Sequence, residues 1–256
     1  MPYAIVTGAS SGIGFQYARV LAEKGYNLLI VSNEEAIGDR AEEIRSEFHG
    51  IEVIPLVMDL GRQEAAAELH DFCLGKNLDV EVLVNNAGVY HDRDFLDDSE
   101  GFNSLILNLH VYTPAMLCWH FGQDMVSRGK GYILNMSSVT SLFGIQRMAT
   151  YSSTKAFLQM FSRSMNIELR GKGVNVTCVR PGTVATTLYN LKPSAMKAGL
   201  VLGYIITPEK LARKGLRAMF RGRAKVTPGL YTKLLDAAVS LVPTAALRLI
   251  RRWGLF

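Results

Sequence analysis

Tyr151 and Lys155 stand four residues apart in the run Tyr151-Ser152-Ser153-Thr154-Lys155, inside a stretch of helical period from Thr150 to Arg170. At that spacing two side chains leave one face of a helix. A phenol with a pKa near ~10 is a weak base at neutral pH, and an ammonium held beside it favours the phenolate. Such a pair is suited to moving a proton. The phenol can give it to a carbonyl oxygen as the carbon is reduced, or take it from an alcohol as the carbon is oxidised. Taken alone, a Tyr/Lys pair at helical spacing is ordinarily a surface contact, so its meaning depends on what the chain places with it.

Two further polar residues are candidates. Ser138 closes the apolar strand-like run Tyr132 to Met136, where a hydroxyl can enter the crevice at the C-terminal edge of a sheet and polarise an oxygen. Ser137 before it is expected to face the other way, because strand side chains alternate. Asn108 interrupts the apolar face of Leu107-Asn108-Leu109 and needs a partner there. A third feature is the turn from Thr7 to Gly14, with Gly8, Gly12 and Gly14 around Ser10, Ser11 and Ile13. It leaves backbone N–H groups open at a helix N-terminus with no Cβ in the way, which is what a dinucleotide pyrophosphate requires.

The elements that must position these residues alternate between apolar runs and stretches of helical period. The runs are Ala4 to Thr7, Asn27 to Val31, Glu52 to Met58, Glu81 to Val84, Tyr132 to Met136 and Val174 to Val179. Helices are expected from Phe15 to Lys24, Glu34 to His49 and Thr150 to Arg170, with Gly25 closing the first. Thr207-Pro208-Glu209 reads as a hydroxyl cap, a first-turn proline and an acid at the positive end of a helix reaching about Phe220. The pattern predicts an α/β fold, a doubly wound parallel sheet of the Rossmann type in a single domain. Its divisions are a dinucleotide-binding and catalytic core over 1–186, then over 187–228 a substrate lid, a helix and a last strand, then an extension over 229–256.

The GxxxGxG spacing of Thr7 to Gly14 resembles the cofactor loop of the short-chain dehydrogenases and reductases, and the resemblance recurs along residues 4–187. Asn85-Asn86-Ala87-Gly88 is similar to the family's turn beside the adenosine half of the cofactor. Asp59, with Leu60 after it, matches the acid near the adenine amine. Asn108, Ser138, Tyr151 and Lys155 match the catalytic set, and Pro181-Gly182 with Val184 and Thr186 resembles the segment flanking the nicotinamide. The resemblance implies a nicotinamide-dependent oxidoreductase in which Tyr151 is the acid/base and Ser138 polarises the substrate oxygen. It further implies that Lys155 also holds the nicotinamide ribose and that Asn108 keeps a water linking the lysine to solvent. Acidic or basic residues after the second strand commonly select between the two nicotinamide cofactors. Here Ser32 and Asn33 occupy those places. With no acid there to repel a phosphate, and with Ser10, Ser32 and Asn33 as donors, NADPH is favoured over NADH.

Between Thr183 and Ile206 the chain has no sustained period but many apolar residues, among them Leu188, Tyr189, Leu191, Met196, Leu200, Val201, Leu202, Tyr204 and Ile205. An apolar, helical lid over the nicotinamide suits a small lipophilic carbonyl, of the kind carried by long-chain keto lipids or steroids. From Glu209 onward eleven Lys or Arg stand against two acids, giving +9, while the rest of the chain carries −4. The extension Gly229 to Phe256 combines those arginines with leucines and is broken by Pro243. It is too short to span a bilayer, and is suited either to lying on an anionic membrane or to packing on the fold or a second subunit. No motif for nucleic acid accompanies the charge. Cys73, Cys118 and Cys178 have no ligand spacing and are read as buried thiols. With no secretory leader pattern, these features place the protein in the cytoplasm, with peripheral membrane contact as an extension of that reading and a homodimer or homotetramer as its assembly. A nucleotide-binding sensor or scaffold without turnover is the competing class, disfavoured because a binder has no use for Tyr151.

Overall fold

The β1 run Tyr3–Thr7 and the β4 run Val80–Asn85 are buried at every position, and β2, Asn27–Ser32, at all but its first. Strands covered on both faces read as continuous apolar runs rather than alternating ones, and they belong to parallel sheets. A computed structural model, describing residues 1–142, 144–186, 193–229 and 231–233, shows that sheet. Seven parallel strands lie in the order β3-β2-β1-β4-β5-β6-β7, with β3 at Val53–Val57, β5 at Gly131–Met136, β6 at Val174–Val179 and β7 at Lys225–Val226. The seventh is the short last strand expected within 187–228.

Alternate side chains of each strand enter two different layers. Ala4, Val6, Leu28, Ile30, Val82 and Val84 pack under α1 (Gly12–Glu23), α2 (Ile37–Glu47) and α8 (Pro208–Phe220). Ile5, Leu29, Val31, Leu83, Ile133 and Val176 meet the layer of α3 (Ala65–Gly75), α5 (Thr113–Arg128) and α6 (Ala149–Leu169). The strand order reverses between β1 and β4, and the crevice beyond the C-terminal ends of strands at such a switch point is where ligands bind in these sheets.

The expected boundaries mostly stand, with instructive shifts. α1 begins at Gly12, three residues before the expected Phe15, because the glycine turn itself supplies the first helical turn. Gly25 closes that helix at φ +81°, and the Thr207 hydroxyl accepts the Lys210 N–H at 3.2 Å to start α8. β3 stops at Val57, so Asp59 lies in the loop beyond the strand rather than at its end. Ser138 likewise stands two residues past β5. The stretch without sustained period contains α7, Pro193–Leu202. α4, Glu100–Leu107, runs into a π-helical turn at Asn108–Tyr112, in which the Thr113 N–H reaches back five residues to the Asn108 carbonyl. All three cysteines are buried. Among the described residues no helix is long and apolar enough to cross a membrane. The lid residues Thr187, Leu188, Tyr189 and Leu191, and nearly all of the C-terminal extension, lie outside the described residues.

Candidate active site

The glycine turn is built by close backbone approach. Gly8 takes φ +65° and donates its N–H to the Val31 carbonyl at 2.8 Å. A Cβ on Gly14 would lie 2.0 Å from the Gly8 carbonyl oxygen, so no other residue fits there without moving the backbone. Ser11 does not cap α1 with its side chain, and the amides of the first helical turn have no intrahelical partner. The NNAG segment is locked to this turn. Asn86 donates its amide to the carbonyls of Thr7 and Gly8, at 2.9 and 3.1 Å, while the Thr7 hydroxyl accepts the N–H groups of Asn86 and Ala87.

A cleft of about 370 Å³ opens over this construction. Gly8, Ser10, Ser11, Gly12, Ile13 and Gly14 line one wall, Ser32, Asn33, Asp59 and Leu60 another, and Asn86, Ala87, Gly88 and Thr186 a third. Thr186 lays its methyl group over Gly12, and its buried hydroxyl has no hydrogen-bond partner among the described residues. A glycine cradle, open helix amides and an orphaned hydroxyl are the donor set that a dinucleotide phosphate takes, so the residues present fit that group. Asp59 spends one carboxylate oxygen on the Gly61 N–H at 2.8 Å, and Ser32 accepts the N–H of Glu34 at 3.2 Å. Asn85 corrects the expectation made for it. Its amide turns into the sheet interior, donating to Asn135 Oδ1 at 2.8 Å, so it braces β4 on β5 instead of facing the cleft. Pro181 and Gly182 support the site from behind: the Pro181 carbonyl accepts the Val139 N–H, and Gly182 packs on Thr232. Val184 is buried and bridges to Ile206.

Tyr151, 7% exposed, stands edge-on between two rings, Tyr90 at 5.3 Å and His110 at 5.8 Å between centroids. Lys155 is buried behind it, its Nζ 5.5 Å from the Tyr151 ring centre and donating to the Met136 carbonyl at 3.1 Å. Burial pushes the lysine down to about 8, opposed in part by Cys178. The Ser138 hydroxyl accepts the Thr140 N–H at 3.2 Å, and Ser137 points away to donate to the Lys155 carbonyl at 2.7 Å, as strand alternation requires. Asn108 opens the π-helical turn, not the middle of a regular helix.

Sequence reasoning missed two residues here. Glu34, one place beyond Ser32 and Asn33, also lines the cleft. His110 is buried and threads a chain of hydrogen bonds through the site. Its Nε2 accepts the Val89 N–H at 3.0 Å, which puts the proton on Nδ1 for Thr154 Oγ1 at 3.2 Å, and Thr154 donates in turn to the Tyr151 carbonyl at 2.8 Å. Burial, reinforced by Lys155, pushes its pKa well down, so the ring is neutral. The NNAG turn and the Tyr151 helix are thus tied through one imidazole.

A model of the short chain dehydrogenase family matches residues 2–196. The chain belongs to that family. This short-chain dehydrogenase is 31% identical over 230 residues to a 3-oxoacyl-(acyl-carrier-protein) reductase of Chlamydia trachomatis, covering 88% of this chain and 92% of that one. It is also 31% identical over 195 residues to a very-long-chain 3-oxoacyl-CoA reductase of Danio rerio, covering 74% of this chain and 60% of that protein's length. Its fold matches a short-chain dehydrogenase of Sphingobium yanoikuyae solved in complex with NADPH. That match has a TM-score of 0.80 and 27% identity, covering 96% of this chain and 98% of the other. The protein is accordingly an NAD(P)-dependent oxidoreductase of the short-chain type.

Proposed function

We propose that this enzyme reduces a lipophilic ketone, of the long-chain keto-acyl or steroid-like class, using NADPH. The observation that carries the reading is that Lys155 Nζ, 5.5 Å from the Tyr151 ring centre, reaches the Met136 carbonyl at the C-terminal end of β5, two residues before Ser138, while His110 ties the Tyr151 helix to Val89 on the wall of the glycine cleft. The cofactor supplies the hydride. Gly8, Ser10, Ser11, Gly12, Ile13 and Gly14 would hold its pyrophosphate, Asp59 and Leu60 its adenine, Asn86 to Gly88 its adenosine side, and Thr186 its nicotinamide side. Tyr151 donates its proton to the substrate oxygen, which Ser138 polarises, while Lys155 sets the field at the phenol and Asn108 connects the lysine to solvent.

The preference for NADPH rests on Ser32 and Asn33, neither an acid, is opposed by Glu34 beside them in the cleft, and is supported by the NADPH complex of the Sphingobium yanoikuyae relative. The apolar substrate is supported by α7, whose Val201 and Leu202 are 80% and 75% exposed, and by the reductase names of the two relatives. Exposed Trp119, Met160 and Ile167 on α5 and α6 support a homo-oligomer. The extension over 229–256 is read as a peripheral contact with a membrane surface of the cytoplasm. Following NAD(P)H absorbance across a panel of carbonyls tests the function. Turnover is expected to be highest on long-chain or polycyclic ketones. Cofactor binding without turnover on any of them would favour a nucleotide sensor, and a tenfold higher kcat/KM for NADH would overturn the cofactor.

A further inference from the structure

Sharing no residue with the glycine cleft, the outer face of α8 and its C-cap carry Lys210, Arg213, Lys214, Arg217 and Arg221, a stripe at helical spacing. Arg213 is paired, with Glu209 at 2.9 Å and Glu23 at 2.8 Å. The others have no ion-pair partner among the described residues. Arg217 stands four residues from both Arg213 and Arg221, an arrangement that repels and destabilises a helix unless something offsets it. Beside the stripe is a second cleft, of about 310 Å³, between α8, β7 and the turn that follows. Lys214, Arg217, Arg221, Arg223 and Lys233 line it together with the buried Thr227 and Pro228, and among the described residues no acid lines it.

Charge on an edge strand protects it from pairing with another chain, and Arg223 and Lys225 are enough for that at β7. Edge protection does not account for Lys214, Arg217 and Arg221, which project from the helix. A second copy of this chain would bring five more cations against these five. The cleft therefore calls for an anion, and the group suited to several converging Lys and Arg is a phosphate.

We propose that this cleft receives the phosphate groups of an anionic lipid surface. Two features favour a surface over a soluble phosphate. The cations continue along one exposed helix face beyond the cleft, so they present a strip and not a single pocket. The chain that leaves Lys233 is, in sequence, rich in leucine and closes with Arg248, Arg251 and Arg252, a composition that lies in the headgroup region. The proposal deepens the peripheral contact read for the extension by assigning the anchoring cations to the folded body, and it does not depend on the reductase reading.

The test uses the full chain and vesicles of phosphatidylcholine with and without about 30% phosphatidylserine, at low salt. Each cation near such a surface is worth about fivefold in affinity. The triple variant Lys214→Gln/Arg217→Gln/Arg221→Gln is expected to lose about a hundredfold in binding to the anionic vesicles. A control with the same net charge, Lys76→Gln/Arg163→Gln/Lys172→Gln, is expected to change little. Both should oxidise NAD(P)H in solution at the unaltered rate, which separates this outcome from any failure of the enzymatic reading. Equal loss in the two variants would mean that net charge alone acts, and retained binding in the first would assign the contact to the extension. Either result overturns the proposal. So would equal binding to neutral vesicles, binding of inorganic pyrophosphate in place of vesicles that the triple variant alone loses, or a dimer that only the first variant dissolves.

Discussion

Lys155 is a cation held at 5% exposure with one carbonyl for company, and its placement has a thermodynamic signature. Its folded pKa of about 8 lies below that of an unfolded lysine, so between about 8 and ~10.4 the unfolded chain binds more protons. Stability lost to this burial is therefore lost in full below pH 8 and recovered as pH rises towards 10. Lys155→Met is expected to raise stability at pH 7 by roughly 2 kcal/mol, after allowance for the stranded Met136 carbonyl, and to abolish turnover. Denaturant titrations at pH 7 and pH 10 check the sign, since the gain should shrink at the higher pH. Tyr151→Phe keeps the ring between Tyr90 and His110 and removes only the hydroxyl that carries the proton. It is expected to lower kcat by about a hundredfold or more with cofactor binding retained, read by nucleotide fluorescence. His110→Leu leaves the Val89 N–H without its acceptor, with an expected loss of about 2 kcal/mol in thermal or denaturant unfolding and a weakened cofactor KM. The juxtaposition of Tyr151 and Lys155 was legible because helical spacing is a local pattern, whereas Ser138 rests on its resemblance to the family's Ser-to-Tyr spacing and stands two residues beyond β5. His110 was not legible, because its partners lie 21 and 44 residues away.

Among the elements, the glycine turn is the least tolerant. Gly14→Ala would put a methyl group 2.0 Å from a carbonyl oxygen that Asn86 also approaches, so the backbone must shift. An expected cost of about 1–3 kcal/mol in stability, with loss of cofactor affinity, is measurable by thermal unfolding with and without NADPH. The alternation of strands and helices was legible because each element announces itself, as α8 does with its Thr207 cap and its buried Leu211, Leu216 and Met219. A helical lid was expected where α7 lies, but its bounds were not legible, because apolar residues surround it instead of forming one stripe, and Val201 and Leu202 stay exposed. The π-helical turn was equally silent. The run Asn-Leu-His-Val-Tyr carries no local signal, and the turn is fixed by distant anchors, such as the Thr113 hydroxyl donating to the Leu60 carbonyl at 2.8 Å.

At the scale of the molecule, α6 leaves Met160 and Ile167 59% and 73% exposed, and Trp119 on α5 is 57% exposed. Large apolar side chains left open on neighbouring helices mark an association surface. The parent is expected to sediment as a dimer or tetramer and the double variant Met160→Asp/Ile167→Asp as a monomer that keeps its fold by circular dichroism. Such a face is invisible to periodicity alone, since the apolar pattern of α6 reads as core throughout. The strand order has a consequence of another kind. A ribosome delivers β3, β2, β1 and β4, and with them the wall from Gly8 to Gly88, long before Lys155 and Thr186 exist. At about 5–20 residues per second the interval lasts several seconds. During synthesis the parts that grip a nucleotide are thus available well before those that use it, and the nascent chain has the makings of a binder before it has those of an oxidoreductase.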